Sequence, residues 1–256
     1  MILNEENWGT IPLLHIVEKE NEHKDVPVDI FFHGFTSAKE HNLHYAFNLA
    51  KKGIRVLLPE AHLHGVREDN LDEVELSLRF WEIVLTSIEE LDMIRKELIK
   101  RNLIASAKIG VSGTSMGGIT TLGALKMYDW IDAAAVMMGA AGYVELAKAQ
   151  IEQFESEGFK LPVTNIEREK LFNDLAVFDI TRDQSLLNQR PLFFWHGKKD
   201  PVVPYQPTYG FYKMIKPDYQ DFPEHLHFFT DKTAGHAVSR SGMLSSVEWL
   251  ASHLNE

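Results

Sequence analysis

The stretch KIGVSGTSMGGITTLGAL, residues 108–125, decides how the rest of the chain is read. It starts as a short apolar strand, turns through Gly113-Thr114-Ser115-Met116-Gly117, and continues with apolar residues at helical spacing. A Gly-x-Ser-x-Gly pattern at a strand-to-helix turn lifts one serine clear of the backbone. The small residues around it let the turn be sharp. The amino end of the following helix adds free amides and partial positive charge beside that serine. Outside this context the pattern would be an ordinary Gly/Ser turn; within it, Ser115 is the candidate nucleophile.

Outward from this corner, apolar runs alternate with helical patterns. IRVLLPE, AAAVMMG, RPLFFWHG and HLHFFT read as buried strands. Helices are predicted in AKEHNLHYAFNLAKKG, YQPTYGFYKMIK and SRSGMLSSVEWLASHL. A single long one is predicted over residues 73–101, with Leu76, Phe80, Val84, Ile88, Leu91 and Leu98 on one face. IPLLHIVEKE and VPVDIFFHG predict an antiparallel hairpin turned at Glu20–Asp25. Strands alternating with helices imply an α/β fold: a mostly parallel central sheet covered by helices on both faces. Residues 143–189 interrupt the alternation with a charged, helix-prone stretch, predicted to be a helical cap inserted within a single domain spanning 1–256. Its Leu146, Ala147, Ile151 and Phe154 recur at helical spacing among Glu145, Lys148, Glu152, Glu155 and Glu157, which suits a helix with one face over a site beneath it.

Composition narrows the function classes. Hydrophobic residues make up 45% and charged residues 25% of the 256, as in ordinary soluble globular proteins. The net charge of −11 leaves no basic stripe to neutralise phosphates, so neither nucleic acid nor an anionic membrane surface is the expected partner. Without cysteine there is no disulfide scaffold, thiolate nucleophile or cysteine-held metal. MILNEENWGT carries acids where a signal peptide carries bases, and no run approaches the ~20 apolar residues of a membrane span, so a cytoplasmic location is expected.

A serine needs a base and an orienting acid to become a strong nucleophile. Both are expected at the ends of later strands. Asp200 follows the strand PLFFWHG in GKKDPVVP, where Pro201 and Pro204 stiffen the loop. Asp179 and Asp183 fall in the insertion, and Asp231 lies too close to the last histidine loop to be a separate strand-end acid. Of twelve histidines, only His236, in TAGHAVS, stands between the last strand and the last helix. His196 is expected to brace the loop carrying Asp200, and His253 belongs to the terminal helix. The amides of Phe35, after Gly34 in FFHGFTS, and of Met116, after the serine, are the candidate donors to an oxyanion. His33 is expected to brace that loop. His41, His44, His62 and His64 have spacings a metal could use, but no acidic ligand pattern accompanies them; solvated or loop-bracing roles are expected, with no metal and no cofactor.

Together HGFTS, GTSMGG, HGKKDPVVP and AGH resemble the α/β-hydrolase superfamily. More narrowly, the chain is similar to small bacterial carboxylesterases related to dienelactone hydrolase and to the catalytic domain of prolyl oligopeptidases. The resemblance covers nearly everything from Ile11 to His253. It implies a Ser115–Asp200–His236 triad, Phe35 and Met116 as oxyanion donors, and cleavage of a small-molecule ester. In LLPEAHLHG, Glu60 stands after Pro59 where the family often has an aspartate. Two other functions stay open at this point: a peptidase of the prolyl-oligopeptidase kind, for which the chain has no room for a gating propeller, and a binding module that kept the fold without turnover.

Overall fold

The structure, a computed structural model, describes residues 1–158 and 164–256. In chain order its elements are β1 (Ile2–Trp8), β2 (Ile11–Val17), β3 (Val28–Phe32), α1 (Leu43–Ala50), β4 (Arg55–Pro59), α2 (Glu73–Leu78), α3 (Phe80–Lys100), β5 (Ile109–Thr114) and α4 (Met116–Met127). There follow β6 (Ala133–Met137), α5 (Tyr143–Ser156), α6 (Asn165–Phe178), β7 (Leu192–Gly197), α7 (Tyr205–Ile215), β8 (Leu226–Asp231) and α8 (Arg240–Leu254). The strands form one sheet in the order β1-β2-β4-β3-β5-β6-β7-β8. β1 and β2 run antiparallel to their neighbours, and β4 through β8 pair in parallel. The order reverses between β3 and β5, so the loops leaving these two strands diverge and open a crevice at their carboxyl ends.

Side-chain alternation along the central strands builds the two cores. Phe31, Ala133, Ala135, Met137, Phe193 and Trp195 face α1 and α8, which contribute Tyr45, Leu49, Val247 and Leu250. Ile30, Phe32, Ala134, Val136, Leu192 and Phe194 face the other way, onto Leu91 and Leu98 of α3, Leu122 and Leu125 of α4, and Phe211 of α7. All five residues of β3, β4 and β6 are buried, as expected of strands covered on both faces.

Two local expectations are corrected. β2 and β3 are not a hairpin: β2 pairs with β1 across a turn with Gly9 at φ 63°, and its other edge pairs with β4. β3 lies between two parallel neighbours, as its complete burial requires. The strand missed in the sequence, β1, is a polar edge strand whose Asn4, Glu5 and Asn7 face solvent, so it carries no apolar run to read. The helix expected over 73–101 is two. α2 has its own capping box from Asp72 and Glu75, and the backbone leaves helical geometry at Arg79, at φ −97° and ψ 7°. The break serves two cores: Leu76 and Phe80 pack into a third cluster above the strand ends, while Leu91 and Leu98 enter the core on the sheet.

That third cluster carries α5 and α6. Tyr143 Oη donates to the Ile119 carbonyl of α4 at 2.6 Å, and Asp179 Oδ2 accepts the Val144 amide at 3.0 Å. Lys126 Nζ donates to the Asp179 carbonyl at 2.8 Å, so the base of the helix pair is tied to α4. Of the expected insertion at 143–189, residues 159–163 lie outside the described residues.

Candidate active site

Ser115 stands between β5 and α4 in the left-handed region, at φ 54° and ψ −115°. A non-glycine residue there is strained, and two hydrogen bonds hold it: its amide donates to the Met137 carbonyl at 2.8 Å, and its carbonyl accepts the Ile119 amide at 2.9 Å. The flanking glycines are required by close backbone approach. A Cβ at Gly117 would lie 2.1 Å from the Phe32 carbonyl oxygen, and one at Gly113 would lie 2.4 Å from the Gly117 carbonyl carbon. Ser115 Oγ is thereby presented at the crevice.

His236 comes from the loop between β8 and α8. Its Nε2 is 2.8 Å from Ser115 Oγ, and its Nδ1 is 2.7 Å from Asp200 Oδ2. The other oxygen, Asp200 Oδ1, accepts the amides of Val202 and Val203 at 2.9 and 3.0 Å. A carboxylate is acceptor-only, so the proton sits on Nδ1 and Nε2 is left to accept from the serine hydroxyl. The Asp200 side chain has no exposed surface, whereas His236 is 20% exposed and can reach a substrate. His196 braces this loop: its Nε2 donates to the Val203 carbonyl at 2.8 Å, and burial lowers its pKa.

Of the rival acids, Asp179 is spent on capping: besides Val144 it takes the Thr181 amide at 3.0 Å. Asp183 accepts from Ser185, and Asp231 accepts the Thr233 and Ala234 amides, its carboxyl held down at about 2 by a Ser239 hydrogen bond together with these amides. None of these three bonds to His236.

The loop after β3 lies against the serine: the Gly34 Cβ position is 3.6 Å from Ser115 Cβ. Gly34 itself has neither a positive φ nor a close contact; the left-handed residue of this loop is Thr36, at φ 57°. Among the described residues neither the Phe35 nor the Met116 amide donates to a protein acceptor, so both remain free for an anionic oxygen.

The loop after β4 clamps this one, through His33 and His64 in the bracing roles expected of them and through a Glu60–Lys39 pair that the sequence reading missed. His33 Nδ1 donates to the Gly34 carbonyl at 2.8 Å, and its Nε2 accepts the Ala61 amide at 3.0 Å. His64 Nε2 accepts the Thr36 amide at 3.0 Å. Glu60, fully buried, takes the Lys39 amide and the Lys39 ammonium, each at 3.0 Å. Burial pushes the Glu60 carboxyl up, but the hydrogen bonds from the Lys39 ammonium and amide more than offset it and hold the group well below the usual carboxylate range. Lys39 could not be singled out beforehand, because a lysine is almost never buried without a partner that only the fold supplies. Among the described residues, no group of three or more histidine or acidic side chains is placed to hold a metal ion.

A cavity of about 350 Å³ opens at Ser115, lined by Phe35, Phe80, Ile119, Leu146 and Val202, with α5 along one wall. A larger depression of about 540 Å³, between residues 182–189 and 218–221, lies toward the amino end of β7 and holds no nucleophile–base pair. Ser115 lines the smaller one.

The sequence pattern of the prolyl oligopeptidase family matches residues 87–256, which include the serine corner, Asp200 and His236. The chain belongs to this family. The chain is 49% identical over 244 residues to "Putative esterase YitV" of Bacillus subtilis, covering 95% of this chain and 96% of that protein. It is 32% identical over 197 residues to the esterase YjfP of Escherichia coli, covering 76% of each. Among solved structures, TT1662 from Thermus thermophilus superposes with a TM-score of 0.75 over the full length of both chains, at 18% identity. The fold is that of the α/β-hydrolase superfamily, and the chain is an esterase-type hydrolase of the prolyl oligopeptidase family. No helix among the described residues is long and apolar enough to cross a membrane.

Proposed function

We propose that this hydrolase cleaves small, neutral carboxylic esters through an acyl-enzyme formed on Ser115. One observation carries the reading: an unbroken hydrogen-bond chain from Ser115 Oγ through His236 to Asp200, at 2.8 and 2.7 Å, ending on a serine held in a strained corner. In this mechanism Ser115 Oγ attacks the ester carbonyl as His236 Nε2 takes its proton. Asp200 fixes the imidazole tautomer and stabilises the imidazolium. The amides of Phe35 and Met116 bind the oxyanion of the tetrahedral intermediate. His236 then protonates the departing alcohol, and a water activated by the same nitrogen releases the acid.

The proposal includes 143–189 as a cap on a single domain. Its support is the face of α5 that lines the cavity at Ser115 and the tethering of the helix pair to α4.

A fluorophosphonate probe tests the nucleophile and a chromogenic ester tests the chemistry. The probe should label Ser115, and Ser115→Ala should abolish labelling and lower p-nitrophenyl butyrate hydrolysis by ~10⁴-fold or more with an unchanged circular dichroism spectrum. Asp200→Asn should cost a similar factor, whereas Asp183→Asn, on the surface, should stay within a few-fold. Undiminished activity in Ser115→Ala would overturn the assignment. Faster turnover of a prolyl p-nitroanilide than of any ester would move the chain to the peptidases.

A further inference from the structure

Besides Ser115 and Ser77 of α2, the polar residues lining the cavity lie along one line, Gln150 and Gln153 of α5 and Glu157 just past its end. Gln150 differs from the other two in being fixed from behind. The indole Nε1 of Trp81 donates to Gln150 Oε1 at 2.9 Å. An indole N–H can only donate, so the carbonyl oxygen of the glutamine must be the atom turned toward Trp81. Trp81 does not line the cavity. It is buried in the roof, with its ring 5.0 Å from Tyr143 and 5.2 Å from Phe80. The Gln150 Nε2 hydrogens are therefore left on the cavity side, and among the described residues they have no acceptor. Gln153 is committed differently, its Nε2 donating to Glu157 Oε1 at 3.0 Å.

We infer that Gln150 is a specificity-determining donor, and that the preferred substrates carry an ether, hydroxyl or carbonyl oxygen in the group that occupies this cavity. A few oriented polar groups in an otherwise apolar pocket set which molecule is bound and which way round. The charge around the cavity fixes the rest of the class. Among the described residues no lysine or arginine lines it, Glu157 stands among its lining residues, and the chain carries a net charge of −11. A carboxylate on the substrate would meet only like charge, so the substrate is neutral. Its apolar part meets Phe35 and Phe80, whose rings stand edge to face at 5.5 Å. The favoured ester is thus an apolar one bearing one acceptor oxygen besides the ester group. This inference rests on the proposed hydrolysis at Ser115.

The test uses paired esters that differ only by replacing one methylene with an ether oxygen. One series varies the acyl side as p-nitrophenyl esters, and a second varies the alcohol side as butanoates, with the oxygen moved along the chain in each. For every pair, the ratio of kcat/KM for ether over alkyl is compared between the wild type and Gln150→Leu; intrinsic reactivity cancels in that comparison. At one oxygen position in one series, the wild-type ratio should exceed the variant's by about 5-fold or more, the worth of one neutral hydrogen bond. Trp81→Phe, which keeps the ring packing but frees the glutamine to turn, should lose part of the same ratio. Equal ratios in wild type and Gln150→Leu at every position of both series would overturn the inference. The ester-hydrolysis reading itself would then still stand if Gln150→Leu hydrolyses the alkyl esters and its Ser115 reacts with the fluorophosphonate. Loss of both in the folded wild type would be a failure of that reading instead.

Discussion

Gly197 is packed directly against Gly235: a Cβ on Gly197 would lie 2.3 Å from the Gly235 carbonyl oxygen. The contact joins the two loops that carry Asp200 and His236, which are also sewn together by Lys198 N to Asp231 O at 2.7 Å and Lys199 N to Ala234 O at 3.0 Å. A methyl group there must push the loops apart, because both partners are backbone and cannot rotate away. Gly197→Ala should therefore lower kcat by at least about 10-fold, since small displacements of a catalytic pair are costly. The loss should appear equally in the rate of fluorophosphonate labelling. Gly235→Ala is the control: its Cβ would meet nothing closer than 3.8 Å, and activity should stay within a few-fold. Equal effects of the two substitutions would contradict the packing argument.

These two glycines also mark how far the sequence could be read. The corner at Ser115 was legible because strand, turn and helix are local and each has its own pattern. Asp200 and His236 could be singled out because chain order places them after later strands. The steric demand between the two loops falls on Gly197 rather than on Gly235, which directly precedes His236, and only the pairing of β7 with β8 reveals it. The clamp of Lys39 and Glu60 was likewise invisible: twenty-one residues separate them, and the charges identify each other only when β3 and β4 lie side by side. The split at Arg79 was the nearest miss, since Asp72-x-x-Glu75 is a capping box written in the sequence.

Glu60 ties that clamp to the loop of Phe35. Its carboxyl is held at about 2, against an ordinary 4.5, so its contribution to stability is complete above about pH 4.5 and is lost as the pH falls toward 2. Glu60→Gln should flatten the acid limb of the stability curve in that window. Removing one partner of a buried pair costs ~3–5 kcal/mol. The low end is expected here, because Glu40 Oε1 also reaches Lys39 Nζ at 2.7 Å. With the loop loosened, kcat should fall more than KM rises. Unchanged acid unfolding and unchanged kcat would show that the clamp does not support the loop.

Asp29 sets the opposite trend at neutral pH. It is fully buried in β3, and burial pushes its carboxyl up to about 7, a Ser112 hydrogen bond at 2.6 Å only partly opposing this. Between about pH 4 and 7 the folded chain keeps a proton that the unfolded chain has lost. Stability therefore falls as the pH rises through that range and levels off above it. Urea melts at pH 5 and pH 8 should show this decline in the wild type and a smaller one in Asp29→Asn, which cannot ionise. Parallel pH dependences in the two proteins would mean that Asp29 does not titrate as its burial implies.

The proposed cap is expected to set which acyl chains enter. Leu146 and Phe154 of α5 line the cavity together with Phe80, and the base of the helix pair is tied down through Tyr143 and Lys126. At about 350 Å³ the cavity is near the small end of ligand pockets, ~300–1,000 Å³. An alkyl chain that outgrows it must displace α5 from its packing on Trp81. Among p-nitrophenyl esters from C2 to C12, kcat/KM should be highest between acetyl and butyryl and should fall markedly by octanoyl. Each methylene is worth only ~1–3 kcal/mol, so the decline should be graded until the chain meets the wall. Leu146→Ala, which enlarges the cavity from the cap side without touching Ser115, His236 or Asp200, should move the optimum toward longer chains while leaving the acetyl ester little changed. A wild-type profile that climbs steadily to C12, or a Leu146→Ala profile identical to it, would mean that α5 packs on the domain without gating the site.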